Sequence, residues 1–144
     1  MAITEPKPAR TFPDSAEAEA RAALAALWDT LGAGGDPAHR CSLAHYLAEL
    51  HDDAEQSLIG ALRAREAAES LPDVVADRYR PVLLAGVADA YRRLGSSAVA
   101  AQILDEASVT NDRLSPGDQI DARTEIIRIR AALEHQSTMR LRPQ

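Results

Sequence analysis

Apolar residues along this chain recur at spacings of three and four, in six successive runs separated by glycines, prolines and acidic residues. That period marks amphipathic helices, and each run predicts one. The first run carries Ala20, Leu24, Leu27, Trp28 and Leu31. Asp14 with Glu17 three positions on has capping-box spacing, Asp standing in for the usual Ser or Thr, and marks the start of this helix. Residues 1–12 are aperiodic and contain prolines, so they read as a loose arm ahead of a single domain over residues 13–135. The segment GAGGDP ends the first helix: its glycines supply a permissive C-cap, and Asp36 with Pro37 opens the next. The glycines follow a helix and not a strand, and they lack a Gly-Lys-Ser/Thr ending, so they do not read as a phosphate loop.

The second run, Pro37 to Leu50, has Leu43, Ala44, Leu47 and Leu50 on its apolar side. Asp52 or Asp53 caps a third, which carries Leu58, Ile59, Ala61 and Leu62 toward Glu69. In SLPDVVADRYRP, Pro72 and Pro81 disfavour continuous helix, and the stretch reads as a connection or an irregular first turn. A fourth helix is predicted from Val82 to about Leu94, stopped by Gly95. Ser96 or Ser97 caps a fifth with Val99, Ala100, Ile103, Leu104 and Ala107, and Ser115, Pro116 and Asp118 open a sixth with Ile120, Ile126, Ile127, Ile129 and Leu133. Residues 136–144, ending MRLRPQ, read as a flexible basic tail. With no strand candidate, the fold class expected is all-α, an antiparallel helix-hairpin array of about six helices.

Composition sharpens this picture. Hydrophobic residues make up 46% of the 144, yet aromatics only 3%, so the core must be built from Ala, Leu, Ile and Val. Alanine pervades residues 16–107 and suits helices lying close on one another. The net charge of −6 counts against nucleic acid as a partner, because phosphate binding needs a basic field. One cysteine, Cys41, makes no intrachain disulfide. No apolar run has transmembrane length and the N-terminal residues lack a secretory pattern, so no membrane partner and a cytoplasmic location are the expectations.

The fourth and fifth helices place Leu84, Val87-Ala88, Tyr91, Leu94-Gly95, Ala100, Leu104 and Ala107 in a recognisable series. The second and third repeat it faintly: Leu43-Ala44, Leu47 and Leu50 stand 44 residues earlier, His51 replaces the glycine, and Ser57, Ala61 and Ala64 fill the small positions after a one-residue shift. Over roughly residues 38–112 the chain resembles the tetratricopeptide repeat family, with one good repeat and one weak one. The resemblance implies a superhelix of hairpins, with the first and sixth helices as end caps. It also implies a concave groove, lined by the first helix of each hairpin, that receives a peptide or partner protein.

The candidate chemistry concentrates in HRCSLAHYLAELHDD, residues 39–53, which holds three of the four histidines and the cysteine. Cys41, His45 and Glu49 follow one another at i, i+4 and i+8, and the resemblance makes Ala85, Asp89 and Arg93 the equivalent stripe, with Arg92 beside it. A metal site would need further ligands from elsewhere, since His39 and His51 are six residues from His45 and off its face. A Cys-His nucleophile would need an oxyanion site that nothing in the chain supplies. A polar groove-lining face with a half-buried thiol is the favoured reading. A guanidinium there grips a carboxylate by two hydrogen bonds, with Arg93 slightly preferred over Arg92 unless Asp89 pairs with it. Trp28 is expected to pack with Leu24 and Leu31, the other reading being an exposed anchor.

The function expected is non-enzymatic binding of a protein or peptide, with no cofactor and no metal. Self-association through the first or sixth helix is compatible with it. The alternatives are a small enzyme or metal-binding accessory protein centred on Cys41 and His45, or a purely structural homo-oligomer.

Overall fold

The structure, a computed structural model, describes the backbone of residues 8–141 and the side chains of residues 15–141. The chain is all-α: α1 (Pro8–Leu31), α2 (Pro37–Leu50), α3 (Ala54–Ala68), α4 (Asp73–Arg93), α5 (Ser97–Asp112) and α6 (Ile120–Glu134), with a 3₁₀ turn at Pro116–Asp118 before the last. Helices α2 and α3 form one hairpin, and α4 and α5 a second. Helix α3 packs on α4, α6 covers α4 and α5, and α1 lies against α2. None of the described helices is long and apolar enough to cross a membrane.

Local chemistry sets several helix ends, although Ser96, expected to cap α5, makes no side-chain cap hydrogen bond. The Asp36 carboxylate accepts from Ala38 N at 2.9 Å, and Asp53 rather than Asp52 caps α3 by accepting from Glu55 N at 3.0 Å. Gly95, at φ +84°, lets Ser96 N reach Tyr91 O and Gly95 N reach Arg92 O, both at 2.9 Å. This paired closure ends α4 and turns the chain into α5. Gln136 makes the same closure after α6 at φ 55°, with Ser137 N on Ala132 O at 2.9 Å.

Three boundaries differ from the sequence reading. Helix α1 starts at Pro8 and not at Asp14, so residues 8–12 of the expected arm are helical, and residues 1–7 lie outside the described residues. A proline opens a helix readily, because an amide in the first turn has no intrahelical acceptor to lose. Helix α4 begins at Asp73, with Pro81 inside it. The missing amide at Pro81 removes a helical bond, but Ala76, Pro81, Leu83 and Leu84 are all buried, and that burial keeps the helix continuous. Ser115, Pro116 and Asp118 build the 3₁₀ turn, and α6 itself starts at Ile120.

The interior is as alanine-rich as the composition requires. One cluster joins Leu84, Ala85 and Ala88 of α4, Leu104 and Ala107 of α5, and Ala122, Ile126 and Ile129 of α6. Another joins Cys41 and Ala44 of α2, Ala64, Ala67 and Ala68 of α3, and Leu83, with Trp28 packed against its edge. Guanidinium carbons of Arg40 and Arg63 lie 4.4 and 5.7 Å from the Trp28 ring centre, so this tryptophan is half core and half cation-stacking surface.

Two helical glycines show how close the packing runs. A Cβ on Gly60 would meet the Ala48 Cβ at 2.9 Å and Cα at 3.1 Å, whereas one on Gly86 would meet nothing within 4 Å. Gly60→Ala is therefore expected to lower the unfolding free energy by about 1–2 kcal/mol, the overpacking outweighing the gain in helix propensity. Gly86→Ala is expected to raise it by up to about 1 kcal/mol. Urea unfolding of both variants checks the pair, and a stabilised Gly60→Ala would mean that α2 and α3 do not approach this closely.

Candidate functional site

Helices α2, α4 and α6 present one face on which an open cavity of ≈ 260 Å³ lies. Its apolar lining comes from Ala48, Ala61, Val82, Ala85 and Ile129. Its rim carries both signs of charge: His45 and Glu49 from α2, Asp89 and Arg93 from α4, and Glu125 and Arg128 from α6. Arg140 and Leu141 close one side.

His45 and Glu49 are one helical turn apart, with Nε2 and Oε1 at 3.3 Å. That hydrogen bond is the main reason the Glu49 carboxyl titrates below its ordinary range, burial opposing it. Arg93 is committed to structure as well as to the rim. It donates to Ser57 Oγ at 2.7 Å, Asp52 O at 2.7 Å and His51 O at 3.2 Å, tying the end of α4 to the α2–α3 turn. Burial lowers its pKa, but a guanidinium stays charged throughout the working range.

Of the six residues singled out in the sequence, the structure brings His45, Glu49, Asp89 and Arg93 to this cavity and places two elsewhere. Cys41 is 4% exposed, inside the seam between α2 and α3, and burial pushes its thiol pKa up. The stripe drawn through Cys41, His45 and Glu49 fails at its first member because each four-residue step overshoots a full turn by about 40°, so that two steps wind the stripe by about 80°. Arg92 is also displaced from the rim. At 1% exposure it lies beneath residues 137–141, its Nε 2.8 Å from Asp89 Oδ1, so Asp89 pairs with Arg92 and not with Arg93.

The tail expected to be loose is held over the described part of its length. Arg92 donates to Ser137 O and Met139 O, each at 2.7 Å. Arg140 reaches back to Glu17 at 2.9 Å, Asp52 at 2.8 Å and Glu49 O at 2.7 Å. Residues 142–144 lie outside the described residues. Sequence reasoning missed Gly86, Ser57 and Arg140. The signal for Gly86 was weak, since a lone glycine inside a helical pattern is tolerated at a cost of about 1 kcal/mol relative to alanine.

No protein-family model, curated protein or solved structure matches this chain. What the face can do is decided by its own chemistry. Among the described residues no three His, Cys, Asp or Glu side chains gather where they would hold a metal ion. The cavity lining combines apolar side chains with charges of both signs.

The turn after α2 carries a pH dependence. His51, in the turn after α2, has its imidazole pKa held below the ordinary value, first by desolvation and then by the charge of Arg21. The unfolded chain therefore binds more protons than the folded one as pH falls through about 6.5, and stability is lost in that direction. The depressed Glu49 carboxyl adds a further loss in the same direction, at lower pH. Unfolding free energy is expected to be greater at about pH 7.5 than at about pH 5.5, and His51→Gln to flatten the difference. Denaturant curves at the two pH values check it, and an unchanged difference in the variant would assign the loss to other groups.

Proposed function

We propose that this protein is a non-enzymatic adaptor that binds a peptide or a segment of a partner protein in the groove lined by α2 and α4, with α6 as a third wall. Gly86 is the observation that carries this reading. It lines the cavity from the interior of a long helix, where glycine costs about 1 kcal/mol relative to alanine, and no neighbour needs its lack of a side chain. A glycine so placed leaves backbone open to close approach by a ligand. The hairpin array and the resemblance to tetratricopeptide repeats support the same reading, with rigid helices pre-arranging His45, Glu49 and Asp89 so that the partner bears most of the ordering entropy. Burial of the Cys41 thiol counts against the nucleophile alternative.

The test is a displayed random-peptide library panned on the wild type and on Gly86→Leu, which adds bulk at a cavity-lining position where a Cβ meets nothing within 4 Å. Segments selected by the wild type and lost in a folded Gly86→Leu variant support groove binding. Selection unaffected by the variant moves the interface to another surface. For the homo-oligomer reading the specific observation is exposed apolar surface on the end helices: Leu27 on α1 is 56% exposed, and Ile120 and Ile127 on α6 are 58% and 61%. Sedimentation over a hundredfold concentration range separates it, since a constant monomer mass removes that reading.

A further inference from the structure

Residues 137–141 leave α6 through the left-handed Gln136 and cross the open face toward α2. Separate devices hold them. The Arg92 guanidinium forks onto the carbonyls of Ser137 and Met139, two residues apart, and so grips main chain without reading any side chain. The Arg140 guanidinium enters a convergence of acceptors from three places: Glu17 of α1, the Glu49 carbonyl at the end of α2, and Asp52 in the turn beyond. Leu141 packs against the cluster shared by α4, α5 and α6, while Met139, 76% exposed, is held by its backbone, the carbonyl accepting from Arg92 and the amide donating to Ser137 Oγ.

These are the parts of a peptide-recognition site: a main-chain clamp, an arginine pocket built from acidic and carbonyl oxygens, and an apolar seat for the next residue. None of them requires that the segment be joined to α6. The fit is also incomplete. The Arg140 Nε is buried with no hydrogen-bond acceptor, and one of its carboxylate partners, Asp52, is 80% exposed, where an ion pair is worth little.

We propose that the groove continues along the track that residues 137–141 cover beside the open cavity, that this track recognises an extended peptide segment in which an arginine is followed by an aliphatic residue, and that residues 137–141 hold that place in cis until such a segment displaces them. This rests on the groove-binding reading above and names its ligand class and its regulation. A tethered segment acts at an effective concentration of about millimolar, so it raises a competing ligand's apparent Kd by the reciprocal of the fraction of time it leaves the site free.

The test uses the full chain and a fluorescent peptide of residues 136–144, QSTMRLRPQ, titrated by anisotropy. The peptide is expected to bind an Arg140→Ala/Leu141→Ser chain at least about tenfold tighter than it binds the wild type, because the cis competitor is weakened. The same peptide carrying Arg140→Ala is expected to bind that chain at least about tenfold more weakly than the unaltered peptide. Circular dichroism and thermal melting establish that the double variant is folded. Arg140→Lys, which keeps the charge but loses the fork, gives the same comparison if the double variant melts early. Equal affinity for wild type and loosened chain, or no binding to the loosened chain, overturns the proposal. The peptide library then tells which idea has failed. Selected segments that Gly86→Leu abolishes leave the groove standing with a different ligand, and a library that yields nothing on either chain removes the groove as well.

Discussion

An Arg92→Met variant is expected to open residues 137–141 and to lose about 2–4 kcal/mol of unfolding free energy. Arg92 is 1% exposed, so its charge has left water and is balanced by the Asp89 carboxylate and the carbonyls of Ser137 and Met139. Methionine refills much of the stem volume but donates nothing. Asp89 is 24% exposed and recovers water where it stands, whereas the two carbonyls recover it only if the segment lifts. Charge-assisted bonds of this kind are worth about 1.5–3 kcal/mol each, part of which rehydration returns. Lifting also exposes the Arg140–Leu141 bond to trypsin. Cleavage there is expected to run at least about tenfold faster than in the wild type, since proteolysis tracks the open population when closing is fast. Cleavage at the wild-type rate, with stability unchanged, would mean that Arg92 does not hold the segment.

The features legible in the sequence are those set by chemistry within a turn or two. Asp36 with Pro37, Asp53 and Gly95 fall where local rules put them, as do the buried Ala44 and Leu47 of α2 and Ala100, Leu104 and Ala107 of α5, because a cap or a helical face is decided by residues three or four apart. The stripe read on α3 does not: Ile59 and Leu62 are each 41% exposed, and the close approach of α2 and α4 buries the small Ser57, Gly60, Ala61 and Ala64 in their place, while Val99 of α5 also faces out. Helix α4 was misread at its start because proline rules describe an isolated helix, while the burial of Pro81 and Leu83 is supplied by other elements. The candidate site was legible to the same limit. His45, Glu49, Asp89 and Arg93 reach the cavity because their helices lie side by side, but Arg92 is fixed by carbonyls 45 and 47 residues away. Arg140 meets a carboxylate 123 residues away. Any residue has a carbonyl to offer, so such a clamp leaves no mark in the sequence of the segment it holds. Arg140 reads as part of a frayed tail because its hydrogen-bond partners all lie 88 or more residues away.

Leu104→Ala is expected to cost about 3–5 kcal/mol, the upper part of the range for leucine truncation. Leu104 is 0% exposed and stands where α4, α5 and α6 meet, among Leu84, Ala88, Ala107, Ala122, Ile126 and Ile129. The cost of a truncation is the lost transfer free energy plus that of whatever cavity the neighbours fail to fill. Here half of those neighbours are alanines, which have no side-chain rotamers to swing into the void, and their close helix contacts leave the backbones little room to shift. For a chain of this length the loss corresponds to a melting-temperature drop of about 8–15 °C. Leu27→Ala on α1, where the leucine is 56% exposed, is the control and is expected to change stability by less than about 0.5 kcal/mol. Calorimetric melting of the two variants beside the wild type reads both values. A Leu104→Ala cost near that of the control would mean that α6 does not close over α4 and α5. The third wall of the groove and the anchorage of residues 137–141 would then fall with it, because both are carried by α6.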